Sequence, residues 1–140
     1  MKPKRSCVQI DIQSSFEMVD LVQVVFESVS AEVGFEADAS HWMSVAIRES
    51  VTNAVRHGNK LDVSKRVIVR FEYEASELSV TVQDEGEGFD PDEIPDPLAE
   101  ENLLRASGRG IFFMKNFMDE VSYHFEPNQG TRVTMMKRVE

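Results

Sequence analysis

The stretch at residues 48–58 constrains the fold most, because it places polar side chains on an otherwise apolar helix. Positions four apart lie on one helical face, so Glu49, Asn53 and His57 form a polar row. A solvated amphipathic helix would instead carry several lysines and glutamates on its outer face. A carboxylate and a carboxamide among apolar residues are costly to bury unless they find a partner. That partner could be neighbouring backbone in a structural helix, or it could be a ligand or a metal.

Length and charge exclude several classes of protein. The chain has 140 residues, enough for one domain with a substantial core, and we expect a single domain over residues 1–140. No apolar run approaches the ~20 residues that span a bilayer. A single cysteine, Cys7, excludes an internal disulfide and a cysteine-based metal cluster. The net charge of -10 argues against nucleic acid, whose phosphates require a basic face. We therefore expect a cytoplasmic protein with no direct nucleic-acid or membrane partner.

Hydrophobic periodicity predicts an α+β fold. Alternating patterns predict strands over residues 7–12, 66–73, 77–84, 120–125 and 131–138. Helical patterns predict a first helix that Ser14 or Ser15 caps and Gly34 ends, a second over residues 38–57, and a third over residues 111–118. The short link at residues 74–77 predicts an antiparallel hairpin. The expected architecture is a two-layer α/β sandwich, with about five strands in a mixed, mainly antiparallel sheet and the helices on one face.

Two further segments carry residues that burial alone does not explain. Asp84 shares the alternating register of the apolar residues in its strand, so its carboxylate is expected to point into the core layer. Gly86 and Gly88 follow it and would let the backbone approach a flat ring without an intervening Cβ. Residues 108–110 precede the third helix, where free backbone N–H groups form a natural phosphate cradle.

Together, these groups could bind a nucleotide and a metal. A buried Asp84 can accept a hydrogen bond from an exocyclic amine, and Asn53 offers an oxygen to a hard cation such as Mg²⁺. Glu49, one turn earlier, could accept a proton from an attacking hydroxyl or water. Residues 84–101 hold nine acidic residues and no basic one, so an anionic nucleotide nearby would need a divalent cation. The Pro-rich segment 91–107 would then be a lid.

The same residues resemble the motifs of a known superfamily. Residues 49–58 resemble the N box of the GHKL (Bergerat-fold) ATP-binding proteins, residues 84–89 their G1 box and residues 108–111 their G2 box. Residues 130–135 resemble their closing strand. The order and spacing match over nearly the whole chain, so residues 1–140 are similar to a single GHKL-type ATP-binding domain. This short form is similar to the bacterial anti-sigma factor serine kinases of the RsbW and SpoIIAB type.

The resemblance implies a role for each matching residue. Glu49 would be the general base that activates a serine or threonine hydroxyl of the partner, Asn53 the Mg²⁺ ligand and Asp84 the acceptor for the adenine amino group. The remaining residues that would line the base pocket or hold the phosphates of ATP are Gly86, Gly88, Gly108, Arg109, Gly110 and Thr131. The residue that contacts the γ-phosphate stays open, with Arg105, Arg109 and Lys115 as candidates.

The resemblance also implies partners. The protein would be an ATP-dependent serine/threonine protein kinase and an anti-sigma factor in a partner-switching pathway. A STAS-domain anti-anti-sigma protein would be its substrate, a sigma factor its competing partner and a homodimer its oligomeric state. The alternative is a nucleotide-gated binding module that transfers little or no phosphate. Glu49 favours the kinase, because a nucleotide-gated binder would not need a base there. A purely structural α+β domain would leave Asp84, Asn53 and the glycines unexplained.

Overall fold

The computed structural model describes residues 5–86, 116–126 and 130–139 of the chain. Its elements are β1 (Ser6–Gln13), α1 (Glu17–Val33), α2 (Ala37–Asn53), β2 (Arg66–Glu74), β3 (Glu77–Gln83), β4 (Glu120–Glu126) and β5 (Gly130–Arg138). A π-helical turn, Ala54–Gly58, continues α2. Of the predicted third helix, most lies outside the described residues, and the described Asn116 and Phe117 are helical. Within these ranges, no helix is long and apolar enough to span a membrane.

The five strands form one sheet in the order β1-β2-β3-β5-β4. All four pairings are antiparallel, including the predicted hairpin, in which Glu74 pairs with Glu77. The described strands therefore contain no parallel pair, and the sheet is antiparallel rather than mixed. Because β5 lies between β3 and β4, the end of β3 meets the start of β5, with Gln83 opposite Arg132. This junction positions the candidate site.

Both helices pack on one face of the sheet and close a single apolar core. The side chains with no exposed surface at its centre are Val22, Phe26, Met43, Ile47, Val51, Val69, Phe71, Leu78, Val80 and Met135. They come from one stripe of each helix and, in β2 and β3, from alternate positions of the strand, as the two periodicities require. The structure therefore confirms the predicted two-layer α+β sandwich.

The ends of α1 confirm one predicted signal and correct another. Gly34 ends the helix in the left-handed region, at φ 91°, and its N–H donates to the Ser30 carbonyl at 2.9 Å. At the start of the helix Phe16 is the N-cap residue, and no side chain caps the helix. The predicted serine cap is wrong because the turn before α1 holds the chain by its backbone, with the Ser14 N–H donating to the Lys65 carbonyl at 3.2 Å.

Candidate functional site

The helix that carries the predicted catalytic residues does not stay α-helical to its end. The Asn59 N–H donates to the carbonyl of Ala54 at 2.8 Å, a bond to the fifth residue back instead of the fourth. The predicted uninterrupted helix is therefore wrong over its final turn. His57 lies within this wider turn and is exposed, whereas Glu49 and Asn53 are half-buried.

Glu49 and Asn53 present side-chain oxygen atoms on one face of the central helix. Within the described part of the chain, neither side chain makes a hydrogen bond or an ion pair. The explanation that neighbouring backbone satisfies them therefore does not hold for these residues. They lie four positions apart, about 6 Å along the helix axis at ~1.5 Å per residue, and on one face. A cation ligand and a proton acceptor can therefore stand side by side on this helix.

Asp84 lies directly after β3, and its carboxylate is buried as predicted, with 4% of the residue exposed. Its Oδ1 accepts hydrogen bonds from the backbone N–H groups of Gly86, at 2.9 Å, and Thr131, at 3.0 Å. Burial raises the pKa of the Asp84 carboxyl above its ordinary value, although the two N–H donors and the charge of Lys65 oppose that rise. Both bonds that the described residues make to this carboxylate end on Oδ1. Oδ2 is therefore the oxygen that can accept a hydrogen bond from a ligand.

Three glycines surround this carboxylate, at positions where a Cβ would not fit. A Cβ on Gly58 would lie 2.0 Å from Asp84 Oδ2, and one on Gly86 would lie 2.3 Å from the Gly58 carbonyl oxygen. A Cβ on Gly130 would lie 2.3 Å from the Asp84 carbonyl oxygen, and Gly130 also has a left-handed φ of 85°. The end of the π-helical turn is therefore in close contact with Asp84. The two predicted halves of the site, the polar helix and the aspartate turn, meet at Gly58.

The structure thus gathers part of the predicted site. It brings Asp84, Gly86 and Thr131 into direct contact, and it joins them to the helix of Glu49 and Asn53. The predicted phosphate-binding residues lie outside the described residues, as does one glycine of the base pocket; they are Gly88, Arg105, Gly108, Arg109, Gly110 and Lys115. The proposed lid at residues 91–107 also lies outside, so these roles stay predictions.

Sequence reasoning missed three residues of the site. Gly58 and Gly130 were noted only as members of longer motifs, although both pack against Asp84. Asn59 was not identified as a site residue, although it is 1% exposed and its carboxamide makes two hydrogen bonds. A Gly-Asn pair after a helix resembles an ordinary helix stop. No local pattern indicates that this asparagine is buried.

Comparison with known proteins places the chain in a family. Residues 12–137 match the sequence profile of the histidine kinase-like ATPase domain. Serine-protein kinase RsbW from Staphylococcus aureus is 28% identical over 147 aligned positions, covering 100% of this chain and 91% of that protein. An anti-sigma F factor from Clostridium perfringens is 37% identical over 99 positions, covering 69% of this chain and 71% of that protein. Serine-protein kinase RsbW from Bacillus subtilis is 29% identical, covering 98% of this chain and 88% of that protein.

Solved structures share the fold at lower sequence identity. The crystal structure of the RsbU and RsbW domains of Rv1364c from Mycobacterium tuberculosis matches 95% of this chain with a TM-score of 0.64 and 19% identity. This chain spans about a third (32%) of that larger one. The mycobacterial sensor histidine kinase MprB matches 94% of this chain, and 97% of its own, with a TM-score of 0.58 and 18% identity. The sequence motifs, the sandwich fold and the relatives agree: the chain belongs to the histidine kinase-like ATPase domain family, in the group of RsbW and anti-sigma F factor.

Proposed function

We propose that this protein is an ATP-dependent serine/threonine protein kinase that also acts as an anti-sigma factor in a partner-switching pathway. The observation that carries the proposal is the close contact between the buried carboxylate of Asp84 and the end of the helix that bears Glu49 and Asn53. The names of the relatives, serine-protein kinase and anti-sigma F factor, support the same class of activity. A single domain over residues 1–140 and a cytoplasmic location belong to this proposal.

The base of ATP would bind against Asp84. Oδ2 would accept a hydrogen bond from the exocyclic amino group of adenine. Guanine has a carbonyl oxygen at that ring position, so two acceptors would face each other, and sites built on a specific hydrogen bond reject such analogues strongly. Gly58 and Gly86 support this pose, because neither carries a Cβ that would stand between the carboxylate and a flat ring. Thr131 would line the same pocket.

Mg²⁺ would be held by the carboxamide oxygen of Asn53. This ion usually binds through one or two protein oxygens together with phosphate oxygens and water, so a single carboxamide is a sufficient protein ligand. When bound, the ion neutralises negative charge on the phosphates of ATP. That neutralisation matters here, because the chain has a net charge of -10.

Glu49 would act as the general base. The hydroxyl oxygen of a serine or threonine in the partner attacks the γ-phosphorus, and its proton passes to the Glu49 carboxylate. The bond between the γ-phosphorus and the β,γ-bridging oxygen breaks, and ADP leaves. The proposed phosphoacceptor is a STAS-domain anti-anti-sigma protein, the second partner is a sigma factor, and the proposed oligomeric state is a homodimer.

The second candidate function is a nucleotide-gated binding module with little or no phosphotransfer. Such a module would use the same Asp84 pocket and differs from the kinase only at Glu49, where it needs no base. Glu49 is a half-buried residue, and its carboxylate bonds to no described residue. A carboxylate at this position favours the kinase, because a nucleotide-gated binding module would need no proton acceptor there.

The deciding experiment compares the wild type with Glu49→Gln. Tagged protein captures its small cytosolic partners in Mg-ATP and in Mg-ADP, and mass spectrometry locates phosphoserine or phosphothreonine on them. Glu49→Gln should keep nucleotide and partner binding and lose phosphotransfer by about 10²–10⁴-fold. Glu17→Gln, an exposed carboxylate in the first turn of α1, is the matched control and should transfer phosphate at the wild-type rate.

Two results would change the assignment. A Glu49→Gln variant that phosphorylates its partner at the wild-type rate would show that the base is a different residue. A wild-type protein that captures its partner in a nucleotide-dependent manner, yet leaves no phosphate on it after long incubation, would establish the binding module instead.

A further inference from the structure

Asn59, the residue after the π-helical turn, is a buried asparagine whose backbone and side chain both make hydrogen bonds. It is 1% exposed. Its backbone N–H donates to the Ala54 carbonyl at 2.8 Å, and its carbonyl accepts from the Asp62 N–H at 3.0 Å. Its Nδ2 donates to the Arg66 carbonyl at 2.9 Å, and its Oδ1 accepts from the Glu85 N–H at 2.8 Å. A buried amide that is bonded through both its nitrogen and its oxygen holds its neighbours in one arrangement, since a shift that breaks either bond leaves a buried polar group unpaired.

This carboxamide lies where the β2–β3 ladder would otherwise continue. The last pair of that ladder is Ile68 with Gln83, and the same register carried on would place Arg66 opposite Glu85. Residues in a hydrogen-bonded antiparallel pair exchange N–H···O=C bonds directly. Here the Asn59 amide bridges them, and the Arg66 N–H donates to the Glu85 carboxylate. The three residues form a closed ring in which each donates one hydrogen bond and accepts one.

The ring determines where the aspartate turn lies. Glu85 is the residue between Asp84 and Gly86. Asn59 directly follows Gly58, and Gly58 touches both Asp84 and Gly86. The Asn59 side chain therefore connects the end of the helix to the backbone of Glu85, the residue directly after Asp84. Without the Asn59 carboxamide, β2 and β3 could extend their ladder to the pair Arg66 and Glu85. The backbone at Glu85 would then move towards β2.

We propose that Asn59 is a positioning residue that sets the selectivity of the site for adenine. Its carboxamide holds the two strands apart at the end of their ladder, so that the Asp84 carboxylate faces the base beside Gly58. Asn59 touches neither base nor phosphate and acts through Asp84. This inference rests on the proposed nucleotide binding and adds to it a determinant of base selectivity. A displaced Asp84 loses its hydrogen bond to adenine and also ceases to repel the carbonyl oxygen of guanine, so the preference for ATP over GTP falls.

The test measures that preference in two variants and one control. Asn59→Leu removes both hydrogen-bonding groups at similar size, whereas Asn59→Asp keeps an acceptor for the Glu85 N–H and loses the donor to the Arg66 carbonyl. Val29→Ala empties a core position that is 3% exposed, on a helix that contributes no candidate site residue. The dissociation constants of Mg-ATP and Mg-GTP are measured by calorimetry below each melting temperature.

Asn59→Leu should weaken ATP binding by about tenfold, the equivalent of one hydrogen bond of about 1.4 kcal/mol, and leave GTP binding unchanged or tighter. The preference for ATP over GTP should therefore fall at least about tenfold, with a smaller fall for Asn59→Asp. Val29→Ala should lower the melting temperature and keep the wild-type preference for ATP over GTP, since a loss of stability alone weakens the binding of both nucleotides equally.

Asn59 variants that lose stability but keep the wild-type ATP/GTP preference would overturn the proposal and leave Asn59 with a structural role. Should Asn59→Leu fail to fold, the ratio of the ATP and GTP dissociation constants is measured for Asn59→Asp instead. A reduced preference for ATP would support the proposal, and an unchanged preference would overturn it. Failure of the proposed function itself looks different. The wild type would then bind ATP and GTP alike, or Asp84→Ala would bind ATP normally, and either result would also remove the positioning role.

Discussion

Replacing Gly58 by alanine adds one methyl group directly on the carboxylate of Asp84. The added Cβ would lie 2.0 Å from Oδ2 and 2.3 Å from Cγ, far inside van der Waals contact. Asp84 cannot rotate away freely, because the N–H groups of Gly86 and Thr131 hold its Oδ1. The methyl group also covers Oδ2, the oxygen proposed to accept the adenine amino group. One substitution therefore affects both stability and nucleotide binding.

The destabilisation follows from competing effects. Alanine gains about 1 kcal/mol over glycine in a helical turn. Rotating Asp84 breaks two hydrogen bonds to a charged group, about 1.5–3 kcal/mol each. Shifting the turn instead costs about 1–3 kcal/mol of packing strain and about 1 kcal/mol for each of the two Asn59 carboxamide bonds that it strains. After the gain from alanine is subtracted, the free energy of unfolding should fall by about 2–5 kcal/mol by the first route and by about 2–4 kcal/mol by the second.

Urea denaturation measures the stability of Gly58→Ala, and calorimetry measures its affinity for Mg-ATP. The loss of one hydrogen bond to a charged acceptor should weaken ATP binding about 10- to 100-fold. Gly34→Ala is the control: nothing lies within 4 Å of its added Cβ, and only its φ of 91° is unfavourable. It should lose about 1–2 kcal/mol of stability and bind ATP normally. A Gly58→Ala protein with wild-type stability or wild-type ATP affinity would refute the reasoning.

Asp84→Asn tests the cost of burial. Because the pKa of Asp84 is raised in the folded protein, the wild type loses stability as pH rises through that pKa. The stability of Asp84→Asn relative to the wild type, measured in urea, should therefore increase over the same pH range and then level off. Asn53→Ala should weaken ATP binding about tenfold with Mg²⁺ and leave it unchanged in EDTA, by calorimetry. Phe26→Ala, with no exposed surface, should cost about 3–5 kcal/mol in urea. Arg48→Ala, which breaks an exposed 3.0 Å ion pair with Asp20, should cost under about 1 kcal/mol.

Local periodicity was sufficient to predict most of the fold. Strand and helix patterns depend on which side of the chain each residue faces, so they can be read over short windows. The same logic identified Asp84 from sequence alone, because a carboxylate in an apolar register must be buried, and the structure leaves it 4% exposed. It also identified Glu49 and Asn53 as polar residues on a half-buried face, although their chemistry stays a prediction.

Signals at the ends of elements were less reliable. Ser14 has the right identity and spacing to cap α1, yet backbone contacts of the preceding turn decide its position. The 38–57 pattern gave no sign of the π-helical turn, because one inserted residue changes the spacing only over the last positions. A regular α-helix would place His57 on the polar row, whereas the structure exposes it.

The sequence by itself determined the elements, the misplaced polar residues and the resemblance to ATP-binding proteins. Only the tertiary structure decided how those residues meet. Thr131 lies 47 residues from Asp84, and the insertion of β5 beside β3 is what gives the carboxylate its second N–H donor. Gly58 and Asn59 acquire their roles in the same way, from a turn that packs against the end of another strand. Such contacts join distant segments and depend on the closed sheet and core, so no local pattern encodes them.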